Sequence, residues 1–244
     1  MMKNITRRTF LAALGVTTAT LLVGCGDSTD STSIVTSSTT NSSASTTSGD
    51  TVEEDTTVTA SSGTLTEEII RAYPETDESY FKTSPVEGGV SITGCTSTDD
   101  VIVIPETIGG ETVVMVGKSS FYGAEYKGIV LPDTVVEIED YAFMNTESLE
   151  AIWLGIGLVE VGTCAFVGCS SLKTITFPEG TTTFSLSIMM AYSPELETVY
   201  IPESLETFGP PFEPDSCPNA VVVTPAGSAM EAYAIEQEIP YETY

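Results

Sequence analysis

The chain contains no histidine, and this absence removes several kinds of active site. Histidine is the commonest general base, the usual partner of a nucleophilic serine or cysteine, and a frequent zinc ligand. An enzyme built on this sequence would depend on carboxylates, hydroxyl groups or a lysine. No cofactor is predicted.

Basic residues are also scarce. The chain has 8 Lys and Arg against 35 Asp and Glu, which gives a formal net charge of −27. Such a field repels the phosphate backbone of nucleic acids and anionic lipid head groups. The composition therefore excludes nucleic acid as a partner and leaves a lipid anchor as the expected contact with a membrane.

Residues 1–25 have the features of a targeting segment. Lys3, Arg7 and Arg8 form a basic start, and the apolar stretch 11–23 is shorter than the roughly 20 residues that span a bilayer. Residues 6–11 resemble the twin-arginine export signal. Ordinary secretory leaders also begin with basic residues, so the export route stays open between the two.

The end of this segment carries an expected lipidation site. Leu22-Val23-Gly24-Cys25 resembles the bacterial lipobox, whose cysteine is acylated and becomes the new N-terminus. Acyl chains contribute roughly 0.8 kcal/mol per buried CH₂, so an acylated Cys25 would hold the protein to a membrane. We expect a lipoprotein anchored outside the cytoplasm to the bacterial membrane or cell surface.

A tether is predicted at residues 26–79. The chain from 28 to 62 is mostly Ser and Thr with scattered acids, and it has too few large apolar residues to offset its ordering entropy. We expect this acidic segment to be disordered, with one short helix between Leu65 and Tyr73.

The second half of the chain is built on a repeat. An apolar–any–apolar–Pro pattern stands at 102–105, 129–132, 175–178 and 199–202, with Gly for Pro at 152–155 and a weaker copy at 222–225. Its Pro or Gly positions are 27, 23, 23, 24 and 23 residues apart. Three further apolar columns keep the same phase: Phe121, Phe143, Phe166, Met189 and Phe212; Ile138, Val161, Phe184 and Phe208; and Leu149, Leu172 and Leu196.

A period near 23 residues is typical of one turn of a solenoid. Each turn is too small to bury its own apolar face, so neighbouring turns must stack. The short runs then form a parallel sheet along one side, with the Phe column as a spine inside the opposite wall. Because side chains alternate along a strand, Ile175 and Phe177 are expected to point inward and Thr176 outward.

These residues carry a resemblance to a known family. The segments 142–143, 165–172 and 177–178 resemble the AF-x-x-C-x-x-L-x-x-I-x-x-P unit of BspA-like leucine-rich repeats, and the similarity extends over about 80–244. The resemblance implies a leucine-rich-repeat solenoid of about five turns, β-rich, with the parallel sheet on one face and short turns or helical segments on the other. Members of the family include bacterial surface proteins implicated in adhesion to matrix proteins and other cells.

Both ends of the solenoid should be capped. Gly109-Gly110 would make a tight hairpin in an enlarged first unit, and the residues around Ser91 would close the N-terminal end. Ser228 and Glu231 form a capping box, which predicts a capping helix from Ala229 to about Glu236 at the C-terminal end.

The outward strand positions form the predicted partner-binding face. Trp153 is the first candidate for a binding hot spot and Tyr200 the second, because Trp and Tyr are enriched at hot spots. The alternative is that these are ordinary exposed apolar residues without a role. The complete column is Val103, Val130, Trp153, Thr176, Tyr200 and Val223.

An acidic row lies one position beyond the repeated Pro or Gly, at Glu106, Asp133, Glu179 and Glu203. Stacked carboxylates could collect Ca²⁺, although such a row is more commonly a solvated turn. Glycoside hydrolysis needs one carboxylate pair at a defined separation, and a repeated row offers no distinguished pair. We therefore predict that the protein is not an enzyme.

Four cysteines remain after the lipidation site: Cys95, Cys164, Cys169 and Cys217. Cys169 occupies the family's cysteine position, where a buried free thiol is expected. Cys164 and Cys169 are the one local pair that could form a disulfide, and their oxidation state stays open.

The sequence thus predicts a cell-surface lipoprotein that binds an extracellular protein or glycan through its solenoid, with adhesion as its role. A structural module of the cell envelope without a host ligand is the alternative. A carboxylate-based hydrolase is the least favoured reading.

Overall fold

The structure of the protein is a computed structural model, and it describes residues 64–184, 191–207 and 217–244. The expected leader, Cys25 and most of the expected tether lie outside these ranges, as do Met189, Phe208 and Phe212 of the predicted columns. Within the described ranges, no helix is long and apolar enough to cross a bilayer.

The described elements are short strands with one helix near each end. In chain order they are α1 (Glu67–Ile70), a 3₁₀ turn (Glu78–Tyr80), β1 (Phe81–Val86), β2 (Gly89–Cys95), β3 (Val101–Val103), β4 (Thr107–Ile108), β5 (Glu111–Val116), β6 (Gly128–Val130), β7 (Glu137–Ile138), β8 (Ala151–Trp153), β9 (Glu160–Val161), β10 (Thr174–Thr176), β11 (Thr198–Tyr200), β12 (Val221–Thr224), α2 (Ala229–Glu236) and β13 (Tyr241–Thr243).

The apolar–any–apolar–Pro units form the outer strands of a solenoid of about six turns, one more than predicted. They pair in parallel in the orders β3-β6-β8 and β10-β11-β12-β13, with equivalent residues side by side. The predicted single sheet is therefore divided, since no hydrogen-bonded register joins β8 to β10 in the described chain.

A second parallel ladder runs along another side of the solenoid. It joins β5, β7 and β9, and isolated bridges continue it from Glu160 to Thr183 and from Thr183 to Thr207. This second ladder therefore crosses the place where the outer sheet is divided. The buried residues of the predicted column at Ile138, Val161 and Phe184 follow this ladder.

The predicted Phe spine is confirmed where it is described. The rings of Phe121 and Phe143 stack at 5.3 Å between centroids and those of Phe143 and Phe166 at 5.2 Å, with interplanar angles of 6° and 12°. All three side chains are buried in one core cluster, together with the Leu149 column. One ring per turn therefore builds a continuous apolar column, as solenoid stacking requires.

Small polar side chains link successive turns beside this column. The buried Thr146 hydroxyl lies 3.0 Å from the Phe121 carbonyl oxygen and 2.8 Å from that of Phe143. The Cys169 thiol, one turn further on, donates to the Phe143 carbonyl at 3.3 Å. These donors satisfy backbone groups that the short turns leave inside the molecule.

Both predicted caps are present. At the N-terminal end, the β1–β2 hairpin pairs in parallel with β5, and Gly109 and Gly110 turn β4 into β5 with φ of 62° and 83°. At the other end, the Ser228 hydroxyl accepts the Glu231 N–H at 3.1 Å and begins α2. The strand β13 then returns to extend the outer sheet, an addition that the sequence did not predict.

Candidate binding face

The outward strand positions divide into a covered half and an open half. Val103 and Val130 are each only 9% exposed, so the expectation that they lie on a free surface is wrong. Residues 65–76, which we call the strap, lie over them. Trp153 is half-buried at the edge of the strap, whereas Thr176, Tyr200 and Val223 continue beyond it as half-buried positions.

The strap is held to the sheet by one fully buried side chain. Ile70 is 0% exposed and packs with Val101, Val103, Val130 and Ala151, and this cluster is separate from the main core. Leu65, Tyr73 and Trp153 pack around it as partly buried residues.

The glycine that begins β6 makes room for this side chain. A Cβ atom at Gly128 would lie 2.7 Å from the Ile70 Cγ2 atom and 3.1 Å from a Val101 methyl group. Real Cβ atoms essentially never approach another heavy atom as closely as the first of these distances. The strand therefore fits the strap only because this residue has no side chain.

Hydrogen bonds fix both ends of the strap. The Thr76 N–H donates to the Val103 carbonyl at 2.9 Å, and its hydroxyl accepts the Val103 N–H at 3.0 Å. At the other end, the Leu65 N–H donates to the Glu150 carboxylate at 3.0 Å. The folded part thus begins before residue 80, and the predicted tether boundary at 79 is corrected because residues 65–76 bury apolar surface on the sheet.

The predicted hot spot is already in contact with a cation of the same chain. The Arg71 guanidinium lies 3.9 Å from the centroid of the Trp153 ring, well within the range of a cation–π contact. Trp153 is the single tryptophan of the chain. Its indole therefore marks the boundary between the strap and the open part of the face.

A carboxylate of the strap lies at the division in the outer sheet. Burial raises the pKa of Glu67, although hydrogen bonds from the Thr176 side chain and backbone and the charge of Arg71 act in the opposite direction. One of its carboxylate oxygens is buried without a hydrogen-bond partner. Since an unpartnered buried acceptor costs about 1–3 kcal/mol, this contact weakens the docking of the strap.

A cleft lies at this division, between β8 and β10. Its volume is about 310 Å³, and its walls are predominantly apolar. The principal lining residues are Trp153, Leu154, Ile156, Thr176, Pro178 and Glu179. The predicted hot spot Trp153 and the predicted face residue Thr176 therefore lie on opposite strands of one cleft.

The acidic row does not form a metal cluster. Among the residues that the structure describes, no three His, Cys, Asp or Glu side chains are grouped so that they could hold a metal ion. Asp133 instead accepts the Ile156 N–H at 3.0 Å and links two turns. Burial raises the pKa of the Tyr244 hydroxyl, and the negative charges of Glu179 and Glu203 raise it further. The Ca²⁺ alternative at Glu106, Asp133, Glu179 and Glu203 gains no support from this arrangement.

The four described cysteines are free thiols. Cys169 is fully buried as predicted, and burial raises its pKa to about 12. Burial likewise raises the pKa of Cys217 to about 11. These two buried thiols are small core residues, and their raised pKa disfavours the thiolate, which is the reactive species.

Comparison with known proteins agrees with this architecture. Residues 99–212 match the model of the BspA type leucine rich repeat region in six copies. The solved leucine rich repeat protein of T. pallidum is 28% identical, with a TM-score of 0.57, over 62% of this chain and 71% of that one. No curated protein sequence matches the chain.

Two other solved structures match at lower structural similarity. A leucine-rich repeat protein from Bacteroides capillosus is 25% identical over 50% of this chain and 93% of its own, with a TM-score of 0.46. A leucine rich cell surface protein from Faecalibacterium prausnitzii is 25% identical over 63% of this chain and 45% of its own, with a TM-score of 0.41. With the family match and the stacked Phe spine, residues 99–212 form a BspA-type leucine-rich repeat region.

Proposed function

We propose that this protein is a surface-displayed binding protein that engages an extracellular protein or glycan through the open half of its outer sheet. Adhesion is the expected role, and recognition rests on shape and surface complementarity without a catalysed reaction. The observation that carries the proposal is the open column of Trp153, Thr176, Tyr200 and Val223, which continues where the strap ends.

The character of the repeat supports this function. Leucine-rich repeats of this family suggest a protein-interaction or surface role, and solenoids use their extended sides as binding surfaces. In the covered half of the face, the outer strands β3, β6 and β8 already accommodate a polypeptide segment. The outward residues of the covered strands are aliphatic or small, whereas Thr and Tyr predominate on the open strands β10 and β11.

The size of the open face sets the expected affinity. Four strands of three or four residues offer a contact smaller than the roughly 800 Å² per partner of a standard stable interface. We therefore expect weak binding by a single domain. Many copies displayed on one surface would strengthen attachment through multivalency, without any new contact.

Surface display depends on the lipid anchor. We propose acylation of Cys25, which would place the repeat region outside the cytoplasm on the bacterial membrane or cell surface. Metabolic labelling of the full chain in a bacterial host with an alkyne fatty acid tests this part. Label should appear on the native chain and be lost in Cys25→Ala; equal labelling of both would remove the anchor from the proposal.

Substitutions on the open face test the binding role. The full-length protein, Tyr200→Ala and Thr176→Ala would be compared on an array of matrix proteins and glycans. Tyr122→Ala is the matched control, because Tyr122 is 54% exposed and lies beside the Phe spine. We expect capture to fall at least tenfold for Tyr200→Ala and to persist for the control. Capture that survives both face variants would refute the proposal, and capture restricted to envelope components of the producing bacterium would favour the structural alternative.

A further inference from the structure

The cleft at the divided sheet has a chemistry of its own. We infer that it is the anchor point for a cationic side chain, arginine or lysine, presented by a protein partner. This inference rests on the proposed binding function and names the chemical class of the partner. Four observations carry it: the origin of the cleft, its walls, the contact of Arg71 with Trp153, and the charge of the chain.

The cleft arises from the way the third turn packs, counting from the turn that contains β3; the third turn contains β8 and the fourth contains β10. Gly155 replaces the proline of the other turns with a φ of 71°, and a Cβ there would lie 2.6 Å from the Pro132 carbonyl oxygen. A Cβ at Gly157 would lie 2.2 Å from the Asp133 carbonyl oxygen. The third turn therefore approaches the second more closely than a side chain would allow. The gap opens on its other side, towards the fourth turn.

The walls suit a long side chain with an apolar stem and a charged head. Trp153, Ile156 and Pro178 provide apolar surface, and Ile156 is 63% exposed although it is a large hydrophobic residue. Glu179 adds an exposed carboxylate. Lysine and arginine pack their methylene groups along apolar surface and keep the charge in water, which is the arrangement that these walls would accept.

Trp153 already contacts a guanidinium group. Arg71 of the strap lies 3.9 Å from the ring centroid, so this indole already packs against a cation within the chain. The two ion pairs of the described chain are Lys118–Asp140 and Lys127–Asp100, so neither of them uses Glu179. A partner's cation can therefore reach that carboxylate without displacing a lysine or arginine paired with it there.

Charge and size favour a single cation over a glycan. The chain carries 35 acidic and 8 basic residues, and a field of that sign attracts basic partners and speeds their association. A volume of about 310 Å³ is at the lower limit of small-ligand pockets, which suits one side chain better than several sugar rings.

The experiment uses the full chain and its single tryptophan. The indole N–H signal of Trp153 would be followed by NMR during titration with acetyl-Gly-Arg-Gly-amide, its Lys counterpart and its Gln counterpart. The variants are Glu179→Gln and, as matched control, Glu106→Gln, since Glu106 has the same position in the first turn and is also exposed. We expect saturable shifts with the Arg and Lys peptides only, at millimolar Kd, and a loss of affinity in higher salt.

Glu179→Gln should raise the Kd of the Arg peptide at least threefold, which is on the order expected for the loss of an exposed charge contact. Glu106→Gln should leave this Kd within a factor of about 1.5 of the native value. Equal shifts with the Gln peptide, or equal effects of the two variants, would overturn the inference. A larger, salt-independent shift with a neutral oligosaccharide such as chitotriose would also overturn it.

The array separates this inference from the proposed function. Capture that Tyr200→Ala abolishes and Glu179→Gln leaves intact would remove the cationic anchor and retain the binding face. Loss of capture in both variants supports both proposals. Capture that persists in both would remove the binding face and the anchor together.

Discussion

The strap should detach when its single buried side chain is truncated. Ile70 is the one strap residue with no exposed surface, and it packs in a cluster apart from the main core. Replacing a buried isoleucine with alanine costs about 2–5 kcal/mol. A loss of about 2 kcal/mol already raises an opening equilibrium up to roughly 30-fold. We therefore expect Ile70→Ala to release the strap while the solenoid remains folded.

Hydrogen exchange and fluorescence measure this release. The amides of Leu65 and Thr76 are hydrogen-bonded to the domain and should exchange faster in Ile70→Ala. The emission of Trp153 should change as well, because the strap and Arg71 leave the indole. The midpoint of thermal unfolding should move by only a few degrees, since the spine around Phe143 keeps its contacts.

A neighbouring residue provides the matched control. Ile69 is 42% exposed, and Ile69→Ala makes the same chemical change without the buried contact. Gly128→Ala attacks the same packing from the side of the sheet and should reproduce the exchange pattern of Ile70→Ala. If Ile69→Ala and Ile70→Ala behave alike, or if Ile70→Ala unfolds the entire domain, the strap is not an independent unit and the reasoning fails.

Three further predictions concern the strap and the core. Because burial raises the pKa of Glu67, the docked strap favours the protonated form; docking should be strongest below the ordinary carboxyl pKa and weaken as pH rises through the raised value. Trp153 fluorescence between pH 4 and 7 should follow this change, and Glu67→Gln should abolish it. Phe143→Ala should lower the free energy of unfolding by about 3–5 kcal/mol in a denaturant titration, and a loss below 1 kcal/mol would contradict the spine. Cys169, with its pKa raised to about 12, should resist iodoacetamide at pH 8 until denaturant is added; rapid alkylation of the native protein would contradict its burial.

The solenoid could be predicted because its information is periodic. Each Phe of the spine contacts the equivalent residue about 23 positions away, so a repeat in the sequence maps directly onto a contact in space. The caps were predictable for a local reason. Gly109-Gly110 and the Ser228–Glu231 box each specify a turn or helix start within a few residues.

The strap could not be predicted, because its contacts join the start of the domain to turns far along the chain. A signal for it nevertheless exists in the outward positions. In the first three turns these positions are Val101, Val103, Gly128, Val130 and Ala151, which are aliphatic or small, before Trp153 ends the series. Thr and Tyr predominate on β10 and β11. The change in composition coincides with the end of the covered half.

The division of the sheet also has a sequence signal. Gly155 stands where the other turns have proline, and the repeat pattern accepts glycine there as an ordinary replacement. Gly157 is less distinctive, because the fourth and sixth turns have Gly180 and Gly227 at the same position. Its effect depends on how close two turns approach, which is a tertiary distance that spacing alone does not encode. The cleft was therefore missed, although Trp153 and Thr176 were predicted as partner-binding residues and Glu179 as a member of the acidic row.

The unequal continuity of the two ladders has a mechanical consequence. On one side, the bridge from Glu160 to Thr183 carries backbone hydrogen bonding past the division, whereas β8 and β10 on the outer side are not joined in this way. The solenoid is therefore stiffer along one flank than along the other at this point. Bending would therefore be concentrated at the division, with the continuous ladder as the hinge. The distance between Trp153 and Thr176 across the cleft would change as the solenoid bends.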